Sequence, residues 1–154
     1  MIRRATADDH PWITSVGGLV YRDLGDYAQV LPSWLGQPGV LAWVEVDERP
    51  VRRGFAILGF YLEDERRAVA DLLAIGVDPT FQRRGIGQAL LDHVITVAAR
   101  VGPAHDIHEL RLTVAHDNWV GQRLYGKRGF NFADVEPGRY AGGQRAMRMV
   151  RPLP

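Results

Sequence analysis

The chain has 154 residues and no cysteine, and its 19 basic side chains nearly balance its 18 acidic ones. This length predicts a single domain, residues 1–154, with one sizeable core. The near-zero net charge gives no electrostatic basis for binding nucleic acid, and the lack of cysteine excludes disulfides, thiolate metal sites and a cysteine nucleophile. No apolar run approaches the roughly 20 residues that span a bilayer, and the first residues lack the apolar stretch of a signal peptide. We therefore expect a cytoplasmic protein that does not associate with membranes.

The first half of the chain predicts two helices among several strands. Thr6 or Asp8 can cap a helix that continues to Val20, and the segment 25–39 predicts a short helix followed by a loop. Four segments have the apolar or alternating character of strands: 2–5, 40–46, 53–62 and 68–77. The last of these is mostly apolar, so we expect it at the centre of the sheet.

The second half contains the clearest helix, which follows Gly87 and ends at Gly102. Asp117 or Asn118 caps another helix, which ends near Gly129. Three further strands are predicted, at 109–115, 130–135 and 146–150. This order of elements predicts a mixed α/β fold in which helices pack on one sheet.

The most informative segment joins the central strand to the long helix. A loop with Gln82, Arg83 and Arg84 follows the strand, and Gly85 and Gly87 open the helix. The first N–H groups of a helix lack partners and carry partial positive charge, so phosphate binds there readily. Glycine lets the backbone approach the anion, and arginine adds charge-assisted hydrogen bonds. The segment therefore predicts a site for a phosphate-bearing ligand.

Two common nucleotide-binding motifs do not fit this segment. A dinucleotide site requires a third glycine three residues after Gly87, and Leu90 stands there. A P-loop requires Gly-Lys-Ser/Thr, which is absent.

The segment resembles the signature of the GNAT superfamily of acyl-CoA-dependent N-acetyltransferases, Gln/Arg-x-x-Gly-x-Gly/Ala, which residues 82–87 meet. A second family element is an Asn after a strand, a Tyr seven residues on, and then Gly-Phe. Asn118, Tyr125 and Gly129-Phe130 meet it. The resemblance is strong over residues 68–132. It implies the GNAT fold, an α/β fold whose mixed, mostly antiparallel central sheet has a V-shaped split between two strands and is flanked by helices.

The resemblance further implies acetyl-CoA as co-substrate, without a metal. Pantetheine would lie in the split, and pyrophosphate on the loop before the long helix. A backbone N–H near Val77 would polarise the thioester carbonyl. The residues implied in coenzyme binding are Ile75, Gly76, Val77, Gln82, Arg83, Arg84, Gly85, Ile86, Gly87, Gln88 and Asn118.

Acetyl transfer to an amine needs a group that accepts the amine's proton, and the departing thiolate benefits from a proton donor. Tyr125 matches the position of the family's general acid. Ribosomal-protein N-terminal acetyltransferases often carry a Glu twelve residues before this Tyr, but Thr113 stands there. This position therefore does not identify the general base.

Histone-type members of the family carry a Glu eleven residues before the motif's Gln, and Asp71 occupies that position. Asp71 has the same strand parity as Ile75 and Val77, so we expect it on their side of the sheet. Asp71 is the predicted base, acting through water. His116, whose ordinary pKa is suitable, and bulk water are the alternatives.

Acceptor recognition is the least defined part of the sequence. Tyr27, Trp34 and Trp43 are candidates for an apolar acceptor pocket. Three arginines make the C-terminal region basic and favour an acceptor with a carboxylate over a cationic one; they are Arg139, Arg145 and Arg148.

We thus predict an N-acetyltransferase, monomeric or homodimeric, in which a primary amine of a peptide, a protein or a small molecule attacks acetyl-CoA directly. The alternative is a non-catalytic acyl-CoA-binding regulatory module of the same fold.

Overall fold

The computed structural model describes all residues from 1 to 154 and contains one eight-stranded sheet. The strands are β1 Ile2–Arg4, β2 Val40–Val46, β3 Arg52–Asp64, β4 Arg67–Val77, β5 Glu109–Ala115, β6 Asn131–Phe132, β7 Gly138–Arg139 and β8 Arg145–Pro152. The α-helices are α1 His10–Val20, α2 Tyr27–Trp34, α3 Ile86–Val101 and α4 Trp119–Lys127. The strand order is β1-β2-β3-β4-β5-β8-β6, with β7 paired to β8, so β4 is central as predicted.

The V-shaped split predicted for this sheet is confirmed. Residues 70–72 of β4 pair in parallel with residues 110–112 of β5, whereas all other strand pairs are antiparallel. Beyond Leu72 and Leu112, β4 continues to Val77 and β5 continues to Ala115 without pairing to each other. The two central strands therefore part toward their C-terminal ends.

A bulge in β4 changes the direction of its side chains just before the split. The register with β3 shifts by one residue, which leaves Leu73 without a partner there. Leu72 and Ile75 consequently pack against the same hydrophobic cluster, although a regular strand would place them on opposite faces. The prediction that Asp71 shares a face with Ile75 and Val77 is therefore wrong, because Asp71 lies on the face that carries α1 and α2.

The helices cover both faces of the sheet. On one face α3 packs through its predicted apolar stripe, in which Leu90 and Val94 are fully buried. On the other face α1 and α2 bury Ile13 and Leu31 over Phe55. None of the helices combines the length and the apolar character needed to cross a membrane. This packing fixes the N-terminus of α3 at the end of β4, where a Cβ on Gly87 would lie 3.7 Å from Val77.

The C-terminal strand pair differs from the prediction. A strand was expected over 130–135, but β6 contains only Asn131–Phe132. The chain then forms a second short pairing through β7, which continues into a hairpin with β8. Gly138 and Gly143 in this hairpin have φ values of 116° and 96°, which favour glycine.

Asp9 is fully buried and ties the start of α1 to the sheet edge. Its carboxylate accepts hydrogen bonds from Arg3 at 2.8 and 3.0 Å, from Arg52 at 2.7 Å and from the Thr6 N–H at 2.8 Å. The hydrogen bond from Arg3 is the largest cause that holds the pKa of Asp9 well below its usual range, against the opposing effect of burial.

We expect Asp9→Asn to lower the free energy of unfolding by about 3 kcal/mol at pH 7, because it leaves partly buried guanidinium groups unpaired. The folded-state pKa of Asp9 is lowered, so its stabilisation is present above the unfolded pKa of about 3.9 and declines as the pH falls below it. Urea unfolding at pH 7 and pH 3 measures this, with the exposed neighbour Asp8→Asn as control. An equal loss at both pH values would contradict the assignment.

Candidate active site

A cavity of about 580 Å³ opens at the split on the α1–α2 face. Most of its lining is apolar, and it draws residues from α2, β3, β4, β5, α4 and the β7–β8 hairpin. Six aromatic side chains with polar edges contribute to the wall: Tyr21, Tyr27, Trp34, Tyr61, Tyr125 and Tyr140. This size and composition are typical of a small-molecule or peptide-end site.

Tyr125, the predicted general acid, reaches this cavity from α4 and is 8% exposed. Its ring packs edge-on against Phe130, with 6.0 Å between ring centroids. Burial raises the pKa of Tyr125 well above its usual range, and Tyr21 and Tyr140 add to the rise. The phenol therefore stays protonated at physiological pH, which is the state that a proton donor requires.

Asp71 lines the same cavity, within a network of charged groups. It accepts a hydrogen bond from the Tyr61 hydroxyl at 2.6 Å, and the Arg111 Nε lies 3.5 Å away. Arg111 also donates to Glu63 and to the Tyr61 hydroxyl, each at 2.7 Å. Burial opposes the charge of Arg111, but these hydrogen bonds outweigh it and raise its pKa. An amine would reach Asp71 either through water or by displacing one of these partners.

The other two positions considered for the base have different surroundings. Thr113, at the position of the family's Glu, lines the cavity but has no basic group. The Nδ1 atom of His116 accepts the Arg145 N–H at 3.0 Å. The Nδ1 atom of His116 is thus engaged by the backbone of β8, and His116 does not line the cavity.

The predicted phosphate loop has the geometry of an anion site. Arg83 and Gly85 adopt φ values of 66° and 81°, and Gly85 caps α3. The first N–H bonded within the helix is that of Ala89, at 3.0 Å from the Gly85 carbonyl. A Cβ on Gly85 would meet no atom within 4 Å, so the space beside it is open. Three N–H groups remain free at this end of the helix, those of Ile86, Gly87 and Gln88.

The side chains of the loop divide into two groups. Arg83 and Arg84 are exposed, and Arg84 lies over the neighbouring phenylalanine ring at 5.4 Å, so both can reach an anion. Gln82 donates to the Val77 carbonyl at 3.1 Å and so closes the loop onto β4. The Ile86 side chain is buried in the core, which leaves its N–H as the group available to a ligand.

The remaining predicted coenzyme residues have local structural roles as well. Ile75 lines the cavity. Gly76 is required by packing, because a Cβ there would come within 2.7 Å of Phe55. Asn118 caps α4 through its Oδ1 atom, which accepts the Gly121 N–H at 2.9 Å. Its amide nitrogen is not used in this cap.

Of the three aromatic residues predicted for the acceptor pocket, two line the cavity and one does not. Tyr27 and Trp34 line the cavity and contact each other at 6.2 Å between centroids. Trp43 is 4% exposed and packs in the core against His93. Sequence reasoning missed Tyr21, Tyr61 and Tyr140, which are brought to the cavity only by the fold.

Two of the three C-terminal arginines are engaged locally. Arg139 donates to the Gly143 carbonyl at 2.8 Å, and Arg145 lies 3.5 Å from Glu136. Arg148, on β8, has a buried Nε without a hydrogen-bond partner. None of the three lines the cavity, so the hairpin gives little support for a carboxylate-binding site there.

Known proteins share this sequence pattern. Residues 38–132 match the family model described as acetyltransferase (GNAT) domain. The [ribosomal protein bS18]-alanine N-acetyltransferase of Escherichia coli strain K12 is 35% identical over 102 residues, which cover 64% of this chain and 63% of the relative. The match thus spans somewhat less than two thirds of that relative's length.

Solved structures share the fold over almost the whole chain. The crystal structure of the Escherichia coli ribosomal-protein-S18-alanine N-acetyltransferase has a TM-score of 0.77 and 25% identity, covering 99% of this chain and 93% of that one. The Arabidopsis thaliana NAA60 structure with a bisubstrate analogue has a TM-score of 0.78 at 17% identity, covering 99% and 97% of the two chains, and shows likeness of fold. The family model covers well over half of the chain, and the split sheet and the phosphate loop accompany it. The chain belongs to the GNAT acetyltransferase family.

Proposed function

We propose that this protein transfers the acetyl group of acetyl-CoA directly to the α-amine of a protein or peptide. The observation that carries the proposal is the cavity at the split, which has Tyr125 and Asp71 in its wall. The free N–H groups of α3 lie at the end of β4, the strand that also lines this cavity. The pyrophosphate of the coenzyme would be held by these N–H groups with Arg83 and Arg84. The acyl-pantetheine arm would then extend along β4 into the cavity.

In the proposed reaction the neutral amine attacks the thioester carbonyl, a C–N bond forms and the C–S bond breaks. Tyr125 donates its proton to the departing thiolate sulfur, since burial keeps the phenol protonated. Asp71 receives the amine's proton through water, because Tyr61 and Arg111 already contact its carboxylate. No covalent acyl-enzyme is involved.

The surroundings of the base favour an α-amine over a lysine side chain. An α-amine has a pKa of about 7.7–8.0, whereas that of lysine is about 10.4. At pH 7 deprotonation therefore requires about 1 kcal/mol for the former and about 4.6 kcal/mol for the latter. A site with Thr113 in place of a Glu, and with Asp71 engaged by partners, is suited to the amine that loses its proton more easily.

The Escherichia coli relative is named as an alanine N-acetyltransferase of ribosomal protein bS18. The cavity is compatible with a small first residue of this kind, because its wall is mainly apolar and aromatic. We therefore take a peptide that begins with alanine as the first acceptor to test.

We expect a peptide with a free N-terminal alanine to be acetylated at least about tenfold faster at pH 7 than an N-terminally blocked peptide of the same sequence with an internal lysine. The lysine peptide should gain about tenfold in rate per pH unit up to its own pKa, while the α-amine peptide levels off above about pH 8. Thiol release measures the rates, and mass spectrometry locates the acetyl group. Preference for the lysine peptide would exclude the α-amine assignment.

A second candidate function is the non-catalytic acyl-CoA-binding module, and Thr113 at the family's Glu position is the observation that favours it. Such a protein would bind acetyl-CoA but release no thiol with any acceptor. Steady turnover with a peptide therefore eliminates it.

A further inference from the structure

The Tyr21 hydroxyl holds both backbone polar groups of Ile75. It donates to the Ile75 carbonyl at 2.7 Å and accepts the Ile75 N–H at 2.9 Å. Tyr21 follows directly after α1, whereas Ile75 lies in β4. This tyrosine thus takes the place of a neighbouring strand where β5 has turned away, and it satisfies groups that would otherwise be unpaired.

The alternation of hydrogen bonds in the sheet shows where these groups point. The Asp78 N–H donates to the Arg53 carbonyl at 2.9 Å, so Arg53 and Asp78 form a hydrogen-bonded pair between β3 and β4. From this pair backward along β4, non-hydrogen-bonded and hydrogen-bonded pairs alternate. Ile75 pairs with Ala56 in the non-hydrogen-bonded type of position. Its N–H and carbonyl are therefore directed away from β3 and into the split, along the path predicted for pantetheine.

Tyr21 also connects this strand edge to the acceptor side of the cavity. Its ring stacks on Tyr27 with 4.7 Å between centroids, and Tyr27 contacts Trp34 edge-on. All three side chains line the cavity. Burial raises the pKa of Tyr21 to about 12, so its hydroxyl is neutral and can donate and accept at once.

We infer that Tyr21 is a positioning residue that holds the place of the acyl-pantetheine arm on β4 and releases Ile75 when the coenzyme enters. This inference rests on the proposed use of acetyl-CoA. An N–H donates one full hydrogen bond, so the Ile75 N–H cannot donate to Tyr21 and to the coenzyme at the same time. When Tyr21 leaves, the aromatic stack with Tyr27 and Trp34 shifts, and the acceptor side of the cavity takes its working shape only after the coenzyme is bound.

Tyr21→Phe removes the competing hydroxyl and keeps the ring. We expect it to bind acetyl-CoA about tenfold more tightly than the wild type, because the free variant loses two hydrogen bonds that the complex does not use. Tyr27→Phe is the matched control. It removes a hydroxyl from the same aromatic stack, and this hydroxyl makes no hydrogen bond. We therefore expect the affinity of Tyr27→Phe for acetyl-CoA to stay at the wild-type value. Isothermal titration calorimetry measures both.

Amide hydrogen exchange of Ile75 in isotope-labelled protein gives a readout that a structural role alone would not produce. In the free state the Ile75 amide should exchange faster in Tyr21→Phe than in Tyr27→Phe, and acetyl-CoA should restore equal protection. A second measurement uses the wild type and so does not depend on the folding of a variant. The NMR signals of the Tyr21 ring should shift when acetyl-CoA is added without acceptor.

Unchanged acetyl-CoA affinity in Tyr21→Phe, or Tyr21 ring signals that stay fixed on acetyl-CoA binding, would overturn the role of Tyr21 while leaving the proposed reaction intact. Lack of acetyl-CoA binding by the wild type would overturn the proposed function, and the role of Tyr21 with it.

Discussion

Tyr125→Phe is expected to lower kcat by about 100- to 1,000-fold, the range in which a single general acid commonly contributes. Its Kd for acetyl-CoA should stay within about twofold of the wild-type value, because the buried ring and its contact with Phe130 are retained. Stopped-flow or thiol-release kinetics give kcat, and calorimetry gives Kd.

The pH dependence of the wild type adds a second check on Tyr125. In the proposed reaction the protonated phenol is the active form, and burial raises the pKa of Tyr125. Activity should therefore not fall as the pH rises through about 10, where an ordinary tyrosine ionises. Tyr140→Phe, which removes the hydroxyl of a half-buried tyrosine in the same cavity, serves as control and should affect acceptor KM more than kcat. If Tyr125→Phe has the kcat of the wild type, Tyr125 is not the acid.

Gly85→Ala is expected to weaken acetyl-CoA binding by at least about 30-fold, which corresponds to about 2 kcal/mol. The added methyl group lies in the open space beside the free N–H groups of α3, where the pyrophosphate is proposed to bind. The positive φ of Gly85 also strains an alanine, by about 1–2 kcal/mol of stability.

Gly36→Ala separates these two effects. Gly36 has a φ of 85°, close to the 81° of Gly85, and a Cβ on it likewise meets no atom within 4 Å. Both variants should therefore lose similar stability in urea unfolding, while only Gly85→Ala loses coenzyme affinity by calorimetry. A similar loss of affinity in both variants would show that strain alone is responsible.

Local patterns in the sequence predicted the parts of the fold that depend on neighbouring residues. The apolar stripe of α3, the glycine cap at Gly85 and the strand at 109–115 all lie where their residue types favour them. The geometry of the loop before α3 could be predicted for the same reason, because one short segment contains the strand end, the arginines and the helix start. Tyr125 was predicted from the resemblance, in which a Tyr follows the Asn by seven residues, as Tyr125 follows Asn118.

The features that sequence reasoning missed depend on contacts between distant segments. Residues 68–77 are so uniformly apolar that no alternation marks the bulge at Leu73, and only the pairing with β3 reveals it. For that reason the face of Asp71 was predicted wrongly. Trp43 is in the core and Trp34 lines the cavity, and this difference depends on the packing of helices and strands that are distant in the sequence. Tyr21 is recognisable only once its hydroxyl is seen on Ile75.

The parallel contact between β4 and β5 is three residue pairs long, and it gives the sheet an uneven stiffness. In one leaf of the sheet, long antiparallel ladders join β2, β3 and β4, and in the other leaf a long ladder joins β5 and β8. Because so few pairs join the leaves, we expect them to move relative to each other more readily than the strands within a leaf. A ligand bound in the opening would restrict this movement, so the rigidity of the molecule would depend on whether the ligand is bound.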